Sequence, residues 1–254
     1  AGRLAAEGTF YPGRRMNGKG VLMAVNEDVR AELDFLVALR RDLHAHPELG
    51  FEEERTSQIV AEHLTETGMK VHRGLGGTGV VGTLTVGNGP RTIGLRADMD
   101  ALPINEATGL DYASAVPGRM HACGHDGHTT MLLGAARYLA ETRNFAGRVA
   151  LIFQPAEEGP GGGRVMVEEG IMERYGISEV YALHTMPGAA EGSFETCPGP
   201  MMAAVDSFDI DITGQGGHGA MPHETRDPVV AAVGMVQAIQ TIVSRNHYAL
   251  NELV

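Results

Sequence analysis

The chain has 254 residues, with 20 lysines and arginines against 32 aspartates and glutamates, a formal net charge of −12. That balance argues against nucleic acid as a partner, which needs a basic face, and a hydrophobic share of 43% excludes wholesale disorder. At about 100–200 residues per domain the length allows one large domain or two smaller ones; no apolar run reaches the roughly 18 residues of a membrane span, and two cysteines are too few for a disulfide framework, which fits a reducing, cytoplasmic setting.

Residues 1–22, without an initiating Met or an apolar signal core, read as a loose lead-in. Glu27 to Ala45 places Val29, Leu33, Leu36 and Val37 on one face and predicts a helix, ended by His46-Pro47 because the residue before a proline disfavours helix. A second helix is expected from about Glu53 to Thr67, on the spacing of Thr56, Ile59, Val60, His63 and Leu64, with Gly68 as its stop. Gly74 to Gly79 reads as a turn region, and Val80 to Val86 as a strand. Thr92 to Arg96 reads as a buried strand that delivers Asp98 and Asp100 just past its end. Gly127 to Thr142 predicts a helix with Met131, Leu132, Ala135 and Leu139 facing inward. Arg148 to Phe153 is a further strand, releasing Ala156-Glu157-Glu158 after Gln154-Pro155, and the glycines from Gly159 to Gly163 lead into a short helix. Val180 to Leu183 is then a strand ending at His184.

Strands alternating with helices imply an α/β fold with a mainly parallel sheet. The polar residues gather at predicted carboxyl ends of strands, where open α/β sheets place their sites. The texture changes after Pro200. Asp206 to Thr213 alternates strictly and predicts a strand with one wet face. Gly214 to Gly219 is a turn carrying His218, and Asp227 to Arg245 predicts an amphipathic helix with Asp227 as N-cap and Pro228 at its first position. The expected domains are residues 23–202 and a second, partial one over 203–254.

Of the 11 histidines, His121, His125 and His128 crowd together, and Cys123 stands two residues before His125 at the start of a helix, where thiolate and imidazole can reach one cation or adjacent ones. Glu157-Glu158 offers two carboxylates at a strand end, one able to bind metal and the other to act as general base. His184 follows an apolar strand. Taken singly, each has a bland alternative: a buried thiol, a solvated acidic pair, a core histidine. Together they supply Cys, His, Glu and His with a spare carboxylate, a set suited to two cations about 3.5–4 Å apart.

These stretches resemble the dinuclear-metal amidohydrolase and peptidase family that contains hippurate hydrolase, N-acyl-amino-acid deacylases, plant hydrolases of indole-acetyl-amino-acid conjugates and, more distantly, carboxypeptidase G. The matching motifs are Leu39 to Glu53, Gly94 to Pro103, Met120 to Ala135, Phe153 to Gly163, Leu183-His184 and Gly214 to Pro228, in the family's order. The resemblance implies a zinc-exopeptidase-like catalytic domain with an inserted lid and dimerisation domain, here incomplete, and two divalent ions (Zn, Mn, Co or Ni) per subunit. By it, Cys123 is the bridging ligand, His125 and His184 bind one metal, and Glu158 binds the other. Glu157 is the general base, Asp100 orients a metal-bound histidine, and His218 reaches a partner subunit's site to polarise the scissile carbonyl. The distant branch has a histidine ligand where this chain has Asp98, which points to the hippurate-hydrolase branch.

The implied activity is hydrolysis of the amide bond of N-acyl or N-aroyl amino acids, small-molecule substrates, by a homodimer with neither nucleic acid nor membrane as partner. The family supplies one more histidine ligand beyond the lid. The alternative expectation is therefore a truncated, non-catalytic fragment lacking that ligand. A zinc nucleobase deaminase, suggested by His-Ala-Cys, is disfavoured because its Pro-Cys-x-x-Cys is absent.

Overall fold

The computed structural model describes residues 27–159, 161–190, 192–199, 201–202 and 206–248. The expected lead-in over residues 1–22 and the last six residues lie outside them. Two compact units divide the described chain, one ending at Phe194 and the other beginning at Glu195.

The first unit is built on a five-stranded sheet of order β1-β2-β4-β3-β5, formed by β1 (Lys70–Leu75), β2 (Gly79–Val86), β3 (Thr92–Asp98), β4 (Gly147–Gln154) and β5 (Ile177–Ala182). The sheet is mixed: β3 pairs in parallel with both β4 and β5, whereas β2 runs antiparallel to β1 and β4. The half that carries the site is thus the parallel half. β1 falls where the sequence predicted no strand, its end overlapping the start of the expected turn, because an edge strand exposed along most of its length has no continuous apolar run to betray it.

Helices cover both faces. α1 (Glu27–Ala31) and α2 (Leu33–Ala45) precede α3 (Glu54–Glu66), and α4 (His125–Thr142) packs with α2 and α3 against one side. Leu39, Leu43, Val60, Leu64, Leu133, Leu151 and Phe153 form that core. α5 (Gly162–Glu168) and α6 (Ile171–Tyr175) cover the other side, where Val81, Ala150, Ile152, Met166 and Ile171 meet. β4 shows why: successive side chains alternate across a strand, so Val149, Leu151 and Phe153 enter one core and Ala150 and Ile152 the other. Glu48 caps α3 through the backbone N–H of Arg55 and Thr56, at 2.9 and 2.8 Å, placing a carboxylate at the positive end of the helix.

Some expected helix faces are rotated. Met131 is exposed, whereas Leu132 is buried as expected and Leu133 and Ala136 point inward with it; in the first helical stretch Leu33 and Val37 are exposed and the buried side chains are Leu39, Leu43 and His44. Helical spacing left two overlapping apolar stripes, and packing chose between them.

In the second unit α7 (Pro228–Thr241) starts as expected, with Asp227 accepting from the N–H of Val229 at 2.8 Å and Pro228 in the first turn. It is not amphipathic: Val229, Val230, Val233 and Val236 are all exposed. With its π-helical continuation it runs Pro228–Asn246, and by length and composition alone it is apolar enough to cross a membrane, which corrects the sequence estimate. The strand expected over Asp206 to Thr213 is not formed. Phe208 and Ile210 are exposed, and among the described residues no strand pairs with this segment, so its backbone has no ladder to join.

Candidate metal centre

The carboxyl ends of β3, β4 and β5 lie along one edge of the sheet, with Asp98 of β3 in register with Gln154 of β4. From that edge the chain delivers Asp98 and Asp100, then Glu157 and Glu158, then His184 and Thr185. Across from them α4 begins at His125. Its N-cap, Gly124, has φ +86°, and a Cβ there would stand 2.8 Å from Thr185 Oγ1, so only glycine lets the turn carrying Cys123 close onto the β5 end.

Cys123 Sγ, a ring nitrogen of His125 and a carboxylate oxygen of Glu158 lie within 4.8 Å of one another. His184 joins them, its Nε2 3.4 Å from Cys123 Sγ. The two histidines are oriented alike. His125 Nδ1 lies 3.1 Å from Asp100 Oδ1 and His184 Nδ1 lies 2.7 Å from the Thr185 carbonyl. Carboxylate and carbonyl only accept, so each Nδ1 carries the proton and donates, leaving Nε2 as the lone-pair atom. This is how metal-binding histidines are usually held. His125 Nε2 and Glu158 Oε1 are buried with no hydrogen-bond partner, which an inward-facing cation would resolve. A thiol, two imidazoles and a carboxylate suit zinc and its divalent neighbours, so the residues present fit the group.

The electrostatics favour a cation. Burial opposes charge on His125, but the Asp100 hydrogen bond and the carboxylates of Asp98, Asp100 and Glu158 outweigh it and raise the imidazole's pKa. Burial, followed by Glu158 and the other carboxylates, pushes the Cys123 thiol up to about 12. Positive charge would relieve the second effect and exploit the first.

Asp100 also accepts the backbone N–H of Glu158 at 2.8 Å through its other oxygen. Glu157 points toward the same place, its Oε2 3.9 Å from His125 Nε2, with its side chain 42% exposed and so reachable by a water or substrate. His218 belongs to the second unit, in an exposed turn where its Nδ1 accepts from the N–H of Ala220 at 3.2 Å.

Two participants escaped the sequence reading. Asp98, His125, His128 and His184 also place ligand atoms within 4.8 Å of one another, but His128 has no lone pair to spare. Its Nδ1 donates to Asp98 Oδ1 at 2.6 Å and its Nε2 accepts the Thr185 N–H at 3.0 Å. It therefore braces the segment that bears His184. Burial disfavours charge on Asp98, yet the His128 hydrogen bond and Arg96, 2.7 Å away, hold its carboxyl well below the usual range. The signal was present in the three-residue step from His125 to His128, which puts both rings on one side of a helix.

A model of peptidase family M20/M25/M40 matches residues 94–250. Among curated proteins the chain is 50% identical to the hippurate hydrolase of Campylobacter jejuni, over 82% of this chain and 54% of that protein. It is 45% identical to the N-acetyl-L-cysteine deacetylase of Bacillus subtilis, over 83% of this chain and 50% of that one. Among solved structures it resembles the YXEP protein of Bacillus subtilis, described as a dinuclear metal binding peptidase of the M20 family, with a TM-score of 0.59, 40% identity and coverage of 63% of this chain and 45% of that one. The chain thus spans about half the length of the curated relatives it matches.

Proposed function

The chain belongs to peptidase family M20/M25/M40, and from that premise we propose that it carries the metal-binding half of an amidohydrolase that cleaves N-acyl or N-aroyl amino acids, hippurate among them, to a carboxylic acid and a free amino acid. The observation that carries this reading is the convergence of Cys123, His125, Glu158 and His184 with two buried, partnerless ligand atoms among them. The names of the relatives supply the substrate class.

Divalent cations held there would supply Lewis acidity toward the amide carbonyl and a water acidic enough to attack near neutral pH. The chain's own residues do the rest. Cys123 would be the ligand shared between the ions, His125 and His184 would hold one ion, and Glu158 would hold the other. Glu157, beside the cluster but half-exposed, accepts the proton of the attacking water and returns it to the leaving amine. Asp100 keeps His125 in its Nδ1–H tautomer. His218 acts as a carbonyl-polarising donor from a partner subunit, in a homodimer made through the second unit. The exposed valines of α7 support such an interface.

The experiment is hydrolysis of hippurate and aliphatic N-acyl amino acids by the purified protein, followed by chelation and re-addition of Zn²⁺, Mn²⁺ or Co²⁺. Amine release that disappears on chelation and returns with metal is expected. Hydrolysis indifferent to chelation, with no metal bound, would sink the proposal, and absence of both metal and turnover would favour a non-catalytic fragment.

A further inference from the structure

We propose that Glu53 is a positioning residue for Glu157, acting through the backbone of Ala156; this rests on the reading of Glu157 as the general base. Glu53 stands at the N-cap of α3, wholly buried, and is 103 residues from Ala156 in sequence. Its Oε1 accepts the Ala156 N–H at 2.8 Å, and its Oε2 accepts the Thr78 hydroxyl at 2.5 Å.

Ala156 needs such an anchor. It is buried at φ +51°, in the left-handed region that side chains other than glycine rarely adopt. Its carbonyl is gripped from the other direction by the N–H groups of Gly161 and Gly162, at 3.1 and 2.9 Å. A Cβ at Gly162 would lie 2.0 Å from the Pro155 carbonyl oxygen, so that grip depends on glycine. One residue beyond Glu157, Asp100 holds the Glu158 N–H.

Glu157 is thus bracketed by buried carboxylates reaching in from two other elements, one fixing the residue before it and one the residue after. A carboxylate is a costly group to bury. Glu53 spends its acceptors on the turn that aims the base and on Thr78, and neither bond goes to a candidate metal ligand. Displacing a base by about 1 Å can lower the rate about 100-fold.

The test compares Glu53→Ala, Glu53→Gln and Glu53→Asp in the full, metal-loaded chain, with hippurate as substrate. In Glu53→Ala, kcat is expected to fall about 100-fold while KM and bound metal stay unchanged. Glu53→Gln, whose amide oxygen still accepts the Ala156 N–H, is expected to stay within about threefold of the parent. In a Glu157→Gln background, Glu53→Ala should add nothing, because its effect runs through the base. Independently of turnover, the Ala156 amide should be protected from hydrogen exchange in the parent and in Glu53→Gln, and should lose that protection in Glu53→Ala. Should Glu53→Ala not fold, Glu53→Asp keeps the charge and shortens the reach, and it must also lower kcat. Unchanged kcat in a folded variant, additivity with Glu157→Gln, or an unchanged Ala156 amide would each overturn the proposal. Full activity of Glu157→Gln would instead overturn the base assignment itself.

Discussion

The buried carboxylate of Asp100 accepts the Nδ1–H of His125 at 3.1 Å. Its second oxygen holds the backbone of Glu158, so one side chain from the end of β3 orients two candidate ligands from two other elements. Asp100→Ala should lower divalent-cation affinity about 10- to 100-fold with the fold intact. A competitive zinc titration measures this; unchanged affinity would remove Asp100 from the site.

Cys123 is the soft donor of the set. In Cys123→Ser a hydroxyl that stays protonated replaces a thiol that a cation can deprotonate, so zinc should bind at least about tenfold more weakly. The same titration reads the result, and equal affinity would exclude the thiol as a ligand.

His128→Leu leaves the buried Asp98 without its imidazole and the Thr185 N–H without its acceptor. Arg96 still pairs with Asp98 in the variant, so the loss is that of a hydrogen bond to a charged group, about 1.5–3 kcal/mol. Urea unfolding should show a loss of that order together with weaker metal binding; a loss below about 0.5 kcal/mol, the level of an ordinary surface change, would contradict the bracing role.

Glu106 gives a pH signature away from the centre. Burial of the side chain works against ionisation, but the Thr108 hydroxyl, the Ser114 N–H and His44 together lower its pKa. A carboxyl depressed in the folded state contributes stability above its unfolded pKa of about 4.3, and that contribution is lost as pH falls through the folded value. Glu106→Gln should therefore be less stable than the parent at pH 7, with the gap closing on acidification below about pH 4. A gap that widens toward acid would reverse the sign.

The sequence exposed what local chemistry dictates. The β3 and β4 ends, the Cys123–His125 step, the Asp227 cap and the placement of acidic and histidine residues at strand ends all follow from turn chemistry and period. It concealed what packing decides. β1 is an exposed edge, Met131 and Leu133 compete for one inward face, and the Asp206 to Thr213 alternation has no neighbouring strand among the described residues. Glu53 was invisible for a related reason: its partners at Thr78 and Ala156 lie 25 and 103 residues away.

Glu157→Gln tests the central claim most directly. The variant keeps the size of the side chain and removes its basicity, so kcat for hippurate should fall about 10²- to 10⁴-fold, while the metal bound per chain, measured on the same preparation, stays at the parent value. Turnover at the parent rate with metal in place would contradict the account.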